Sequence, residues 1–307
     1  MVKCTVCGVR EAFYARRYSG EKFCVKCFLE SIEDKVRSTI AKYNMFRFDD
    51  RIAVAVSGGK DSLSLLHILA KIERDFPKAS LYAITIDEGI AGYRDEAIEI
   101  ASENCESLGV KHFILSFKEL YGYTLDDIVK RIRASGSKLT PCSYCGVLRR
   151  KALNTLATKV GATKIATAHN LDDEVQTFIL NIIHGDIFRI PRTGPAFDEE
   201  PGLVPRVKPL CETLEKEVTL YAYLRGIRFQ ENPCPYAGEA LRNDVRNMIN
   251  RLEEKHPGTK YKIYRSAEKI REAIKDRSPK IILNQCKICG EPTVSEICQA
   301  CNLLQNI

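Results

Sequence analysis

Ile52-Ala53-Val54-Ala55-Val56-Ser57-Gly58-Gly59-Lys60-Asp61-Ser62 is the stretch on which the fold turns. A short apolar run stops at a serine and two glycines. Apolar residues then recur at helical spacing from Asp61 to Ile72 (Leu65, Leu66, Leu69). This reads as a buried parallel strand feeding a helix. The loop between them suits phosphate. Glycines let the backbone approach phosphate oxygens closely. Consecutive N–H groups and the positive end of a helix form an anion nest. Lys60 adds charge, and Ser57 and Ser62 add hydroxyl donors. The string is neither a GxxxxGK[ST] loop nor the GxGxxG dinucleotide fingerprint. The plain alternative, a tight turn that happens to be glycine-rich, is disfavoured by the strand–loop–helix setting.

Outward from this loop the pattern repeats. Leu81–Ile86, His112–Ser116 and Lys164–Thr167 read as strands, and Arg94–Leu108, Gly146–Val160 and Leu171–Ile183 as helices. Strands alternating with helices predict an α/β fold with a doubly wound parallel sheet, which binds ligands beyond the strand C-termini. After Pro191 the glycines and prolines from Gly194 to Pro209 mark a loop-rich connection. Helices over Glu215–Leu224, Ala240–Lys255 and Tyr261–Lys275 follow.

The 13 cysteines fall mostly in CxxC pairs. Cys4, Cys7, Cys24 and Cys27 make one quartet, and Cys286, Cys289, Cys298 and Cys301 another. Paired thiolates at this spacing read as two Cys4 zinc fingers rather than disulfides. A closed Cys4 site stabilises a small fold and leaves no position open for chemistry. The expected organisation is an N-terminal finger over 1–30, a central domain over 31–280 and a C-terminal finger over 281–307. Cys142 and Cys145 open a helical segment, Cys234 stands far along the chain, and none of the three belongs to a finger. Three thiolates cannot close a Cys4 zinc site. They suit a [4Fe–4S] cluster with one iron open, or a redox pair cycling through a persulfide and disulfide, since CxxC serves both; an incomplete third zinc site is the remaining alternative. Cys105 and Cys211 match no motif and read as ordinary apolar-environment cysteines.

The fourth strand runs into Thr167-Ala168-His169-Asn170-Leu171-Asp172-Asp173-Glu174. Acids here are common as caps and first-turn residues. Asp173 also suits Mg²⁺, a hard ion that prefers carboxylate oxygen, or the positioning of a phosphate chain. His169 reads equally as a general acid/base or a capping residue.

The chain has 307 residues, 45% of them apolar, and a net charge of +7. That suits a polyanionic partner. No run of ~18 apolar residues exists, so no membrane span is expected. The N-terminus carries no apolar signal-like run, and a cytoplasmic chain is expected.

The SGGKDS string resembles the loop of the PP-loop ATP pyrophosphatases, which transfer AMP to a carbonyl oxygen and release pyrophosphate. The resemblance implies phosphates on Ser57, Gly58, Gly59, Lys60, Asp61 and Ser62, and adenine against Ala55, Val56, Ile86 and Asp87. It also implies use of the residues after the fourth strand, Ala168 and Asp173 among them. Together with the PCxxCG helix, the late Cys-Pro and both fingers, nearly the whole chain resembles the tRNA 2-thiolation enzymes. Many of these carry a [4Fe–4S] cluster on three cysteines that align with Cys142, Cys145 and Cys234. The resemblance thus favours the cluster over the redox pair, with its open iron carrying the sulfur.

Cys27 and the stretch Ile86-Asp87-Glu88-Gly89-Ile90 to Asp95 look more like the wobble-uridine branch than the uridine-54 branch. Arg149 stands where the other branch often has lysine, which suggests an anion holder. The expected enzyme is an ATP-dependent tRNA sulfurtransferase using ATP, Mg²⁺, the cluster and two Zn²⁺. Its expected partners are tRNA and either sulfide or a thiocarboxylated ubiquitin-like carrier. A homodimer is implied by resemblance alone. The fingers together with Arg242, Arg246 and Arg251 are the expected tRNA face. Two rivals are a zinc-finger RNA-binding protein, which needs no nucleotide loop, and an amide-forming PP-loop ligase, which needs no third cysteine set.

Overall fold

The computed structural model describes residues 2–136, 139–197, 200–237, 241–275 and 283–307. The N-terminal finger pairs β1 (Tyr14–Arg16) with β2 (Glu21–Phe23) and runs into α1 (Val25–Lys42). The central part continues with β3 (Arg51–Ala55), α2 (Lys60–Glu73), β4 (Ser80–Asp87), α3 (Arg94–Leu108) and β5 (Lys111–Ser116). Then come α4 (Phe117–Tyr121), α5 (Leu125–Ala134), α6 (Pro141–Lys159), β6 (Lys164–Ala166) and α7 (Leu171–Ile183). After a 3-10 turn at Ile187–Arg192 come β7 (Arg206–Val207), α8 (Glu215–Leu224), α9 (Leu241–Lys255) and α10 (Thr259–Lys275). The C-terminal finger holds β8 (Asn284–Gln285), β9 (Pro292–Thr293) and α11 (Gln299–Gln305).

The sheet is parallel throughout, in the order β5-β4-β3-β6-β7. Pleating sends alternate side chains to opposite faces, and here both faces are buried. Ile52, Val54 and Val56 join one core with α1, α2, α3, α7 and α8 residues. Ala53, Ile84, Ile86 and Ile165 join the other, with α5 and α6. This is why the strands read as continuous apolar runs. The chain winds outward from β3 through β4 to β5, then returns to β6 on the other side of β3. The order therefore reverses between β3 and β6, and a crevice opens beyond their C-terminal ends.

The doubly wound sheet and its two flanking cysteine modules match the sequence reading. Several elements escaped it. The two-residue β7 hides in the loop-rich connection, α4 and α5 are short, α1 begins within the finger, and the small strands and last helix of the fingers carry no period to read. Cys24 is the N-cap residue of α1 and Cys27 lies in its first turn. A boundary after residue 30 falls inside this helix, and one after residue 280 lies outside the described residues, as does Ala240, the expected first residue of α9.

Candidate active site

Two helix N-termini face each other across the crevice. Gly59 precedes α2 with extended backbone. Gly58 takes a φ of +86°, and a Cβ there would lie 2.4 Å from the Ala97 carbonyl oxygen. Only glycine fits, because the loop is pressed onto α3. The Gly58 carbonyl accepts from Gln230 N–H at 2.9 Å. Ser62 Oγ accepts from Ser57 N–H at 3.1 Å and donates to the Gly59 carbonyl at 3.0 Å, which closes the loop on itself. Opposite, Asn170 caps α7 in a reciprocal box with Asp173, each side chain accepting the other's backbone N–H at 3.1 Å.

The cleft between them has a volume of about 330 Å³. Ala55, Val56, Ser57, Gly59, Asp61 and Ser62 form one wall. Ala168, His169, Asp173 and Arg242 form the other, and Ile86, Glu88 and Arg149 lie at the end nearest α6. A wider groove of about 580 Å³ runs between the N-terminal finger and α8–α10, but its lining includes neither the loop nor the three lone thiols.

Asp61 and Asp173 are the carboxylates at the two helix N-termini on the cleft, with Glu88 at the end nearest α6. Burial pushes both above the usual carboxylate range, against the pull of Lys60 on Asp61 and of Asn170 N–H on Asp173. Asp61 also feels the Asp173 charge. Two such acids beside a phosphate loop are the donor set that Mg²⁺ takes. Asp173 combines both roles read for it: one oxygen caps α7, and the other stands 3.5 Å from Arg242. Asp172 turns away, pairing with Lys260 and accepting Glu215 N–H at 2.9 Å. Lys60 is drawn aside by Asp61 at 2.7 Å and Glu215 at 3.0 Å. His169 is exposed at the cleft wall, with Nδ1 3.0 Å from Thr167 Oγ1. Although the residue is exposed, the protein packed around its ring and then Lys208 hold its imidazole below the usual value, so it is neutral at pH 7.

The expected adenine-side residues divide. Ala55, Val56 and Ile86 line the cleft. Val56 N–H is spent on the Ile84 carbonyl at 2.9 Å, and the Val56 carbonyl accepts from Thr85 Oγ1 at 2.8 Å. Asp87 turns back to accept Gly89 N–H at 2.8 Å, and Glu88 takes the wall.

Pro141 occupies the first turn of α6, and Thr140 caps that helix by accepting Ser143 N–H at 3.3 Å. This puts Cys142 and Cys145 in the opening turns. Cys142 is exposed and its thiol donates to the Tyr236 carbonyl at 3.2 Å. Tyr236 is anchored on α5 through Asp126 at 2.6 Å, which holds the Cys234 loop against the start of α6. Cys145 is buried, and Arg149, one turn on, donates to its sulfur at 3.0 Å. Burial raises the Cys145 and Cys234 thiols. Cys234 adds to the rise at Cys145, and Cys142 to that at Cys234, so the three sense one another.

Only the two terminal quartets, among the described residues, bring their ligand atoms all within 4.8 Å of one another. Cys7 and Cys24 sulfurs are 4.0 Å apart, and Cys289 and Cys298 sulfurs 3.7 Å. Four sulfurs around one zinc stand about 3.8 Å apart, given Zn–S near 2.3 Å. Backbone N–H groups, of Arg10 at Cys7 and of Cys298 at Cys286, lower both thiols to about 6 and favour thiolate ligands. The quartets thus fit single ions. The Cys142, Cys145 and Cys234 sulfurs do not all lie within 4.8 Å of one another.

Glu88, Arg94 and Glu215 escaped sequence reading. Glu88 carried a readable signal, since it lies just past the C-terminal end of β4 where such sheets bind ligands. Its partners carried none. Of the expected tRNA-facing arginines, Arg242 turns into the cleft and Arg246 lies beside Glu215, while Arg251 faces solvent. The three do not form one outward face.

The PP-loop domain family matches residues 29–253, and the N-terminal LIM domain of the 2-thiouridine synthetase TtuA matches residues 3–29. Cytoplasmic tRNA 2-thiolation protein 1 of Dictyostelium discoideum is 37% identical over 99% of this chain and 83% of its own length. The tRNA 2-thiolation protein NcsA of Haloferax volcanii is 35% identical over 100% and 99%. Among solved structures, the U34-tRNA thiolase NcsA of Methanococcus maripaludis, described with its [4Fe–4S] cluster, is similar with a TM-score of 0.85. It is 35% identical to this chain, and the match covers 100% of this chain and 97% of that one.

Proposed function

This chain belongs to the PP-loop family of tRNA 2-thiolation proteins, and from that premise we propose that it uses ATP to replace the C2 oxygen of wobble uridine 34 with sulfur. One observation carries the reading: Arg149, which lines the same cleft as the phosphate loop, also donates to Cys145, the buried member of the three lone thiols.

In the first half-reaction the C2 oxygen attacks the α-phosphorus of ATP. The bond to pyrophosphate breaks, and the oxygen becomes part of an AMP leaving group. The loop amides and the N-termini of α2 and α7 hold the phosphates. Asp61 and Asp173 would hold Mg²⁺ against them, neutralising charge on pyrophosphate as it departs. In the second half-reaction a sulfur nucleophile adds at C2 and AMP leaves. Holding both reactants in one cleft converts two encounters into one bound geometry. A [4Fe–4S] cluster on Cys142, Cys145 and Cys234 would leave one iron without a protein ligand and supply Lewis acidity there. Neutral His169 is placed to take a proton at the cleft wall. Each terminal quartet would hold one structural Zn²⁺.

The net charge of +7 suits tRNA. The sulfur source is sulfide or a thiocarboxylated ubiquitin-like carrier, and the cytoplasm and a homodimer complete the proposal on resemblance. No helix among the described residues is long and apolar enough to cross a membrane. The test is nucleoside mass analysis of tRNA treated with purified protein, ATP, Mg²⁺ and sulfide under anaerobic conditions. Sulfur at anticodon uridine supports the reading. Sulfur at uridine 54 alone overturns the target, and pyrophosphate release with ammonia incorporation instead of sulfur overturns the reaction.

A further inference from the structure

Glu88 is buried between the two halves of the site. Its Oε2 lies 2.8 Å from Arg94 Nε, an ion pair whose geometry is not that of a hydrogen bond, and its Oε1 pairs with Arg149 Nε at 2.8 Å. Each arginine then reaches a functional segment. Arg94 donates to the Ser57 carbonyl at 3.0 Å and to the Ile86 carbonyl at 2.7 Å, under the phosphate loop. Arg149 donates to Cys145 Sγ at 3.0 Å. A continuous polar chain therefore runs from Ser57 through Arg94, Glu88 and Arg149 to Cys145.

The backbone around Glu88 is fixed on every side. Its carbonyl accepts Leu125 N–H at 2.7 Å. Asp87 caps the turn at Gly89, and a Cβ on Gly89 would lie 2.7 Å from the Thr124 side chain. With its backbone anchored, the Glu88 side chain is left to bridge the two guanidiniums. Two guanidiniums against one carboxylate leave this trio with one positive charge at the cleft end nearest α6.

We propose that Glu88 is a positioning residue that couples the phosphate loop to the thiol site, holding Arg94 under the loop and Arg149 on Cys145. The proposal rests on the reaction given above, because only there must nucleotide and thiols act on one atom. Nucleotide pressing on the loop shifts Arg94, and Glu88 passes the shift to Arg149.

The test uses the full chain and two readouts. The first is the alkylation rate of Cys145 by iodoacetamide, read by peptide mass spectrometry in protein prepared without the cluster but with Zn²⁺ in both terminal quartets, with and without Mg²⁺ and a non-cleavable ATP analogue. Nucleotide changes this rate in the wild type, and Glu88→Gln loses the response while still binding the analogue. The second is tRNA thiolation by reconstituted protein. Glu88→Gln lowers kcat by roughly 10²-fold, the scale of a small misplacement of reacting groups, with KM for ATP nearly unchanged. Added to Arg149→Met, it costs almost nothing more. If the Gln variant does not fold, Glu88→Asp keeps the charge, shortens the reach and blunts the same alkylation response. An undiminished nucleotide response in a folded Glu88 variant, or thiolation losses that simply multiply with those of Arg149→Met, overturns the proposal. Wild-type protein that neither releases pyrophosphate nor thiolates tRNA overturns the reaction, and the alkylation readout then still decides whether Glu88 links the two sites.

Discussion

At the scale of single residues, the two roles of Asp173 can be separated. Its Oδ2 caps α7, and its carboxylate faces the cleft beside Asp61. Asp173→Asn keeps an oxygen for the cap and loses the charge. Asp173→Ala loses both. Pyrophosphate release in the presence of tRNA and Mg²⁺ is expected to collapse in both variants. Thermal stability should fall only in the alanine variant, by about 1 kcal/mol, the usual worth of a cap. Equal melting of the two would show that the Asp173 side chain's half of the capping box contributes nothing.

His169 gives a pH signature. Its folded pKa is held below the unfolded value of about 6.5. As pH falls through about 6.5 the unfolded chain binds the proton first, so the stability this neutral imidazole contributes is complete above that pH and is lost below it. Denaturant midpoints of the wild type should therefore drop more steeply on acidification than those of His169→Gln. Parallel curves would remove His169 from the account.

At the scale of elements, the phosphate loop works because α3 lies against it. Gly58 has positive φ, and any Cβ there runs into the Ala97 backbone. Gly58→Ala must push α3 away or flatten the loop, at a cost of about 1–3 kcal/mol. The expected result is a folded protein that has lost ATP binding by calorimetry. Wild-type affinity would mean that the loop does not depend on this contact. Helix α6 is the other decisive element. Its first turns carry Cys142 and Cys145, Arg149 follows one turn later, and Lys151 reaches the C-terminal quartet with Nζ 2.9 Å from Cys289 Sγ. One helix therefore spans the thiol site and the finger.

At the scale of the whole molecule, the fingers are built into the fold. Arg16 in the N-terminal finger meets Glu217 of α8 at 2.7 Å, with both side chains buried. Leaving one of them unpaired costs about 3–5 kcal/mol, so Glu217→Ala should lower the melting temperature far more than an exposed substitution. Metal analysis of purified protein should find roughly two zinc ions per chain, the stoichiometry of two closed Cys4 sites. Folded, zinc-free protein with disulfides in both quartets would refute that assignment. With a net charge of +7, tRNA affinity should fall steeply as salt rises, because phosphate contacts release counterions. Salt-independent binding would point to a different mode of recognition.

The sequence by itself determined the local chemistry. Ser57 to Ser62 announced a phosphate loop because glycines and hydroxyls next to a strand have few other uses. The alternating apolar runs fixed a doubly wound sheet because strands buried on both faces must be apolar throughout. CxxC spacing alone pointed to the two quartets, since their ligands are close in the chain. What the tertiary structure decided was who meets whom across the sheet. Glu88 and Arg94 share one stretch after β4, but Arg149 lies on α6, and no local pattern in the sequence ties it to them. Asp172 and Asp173 are neighbours, and only the packing of α8 and α10 turns one of them to Lys260 and leaves the other to the cleft. Arg242 looked like a surface charge and proved to be part of the cleft wall. Helical periodicity gives the spacing of charges along a face, whereas the direction of that face is set by the elements packed against it.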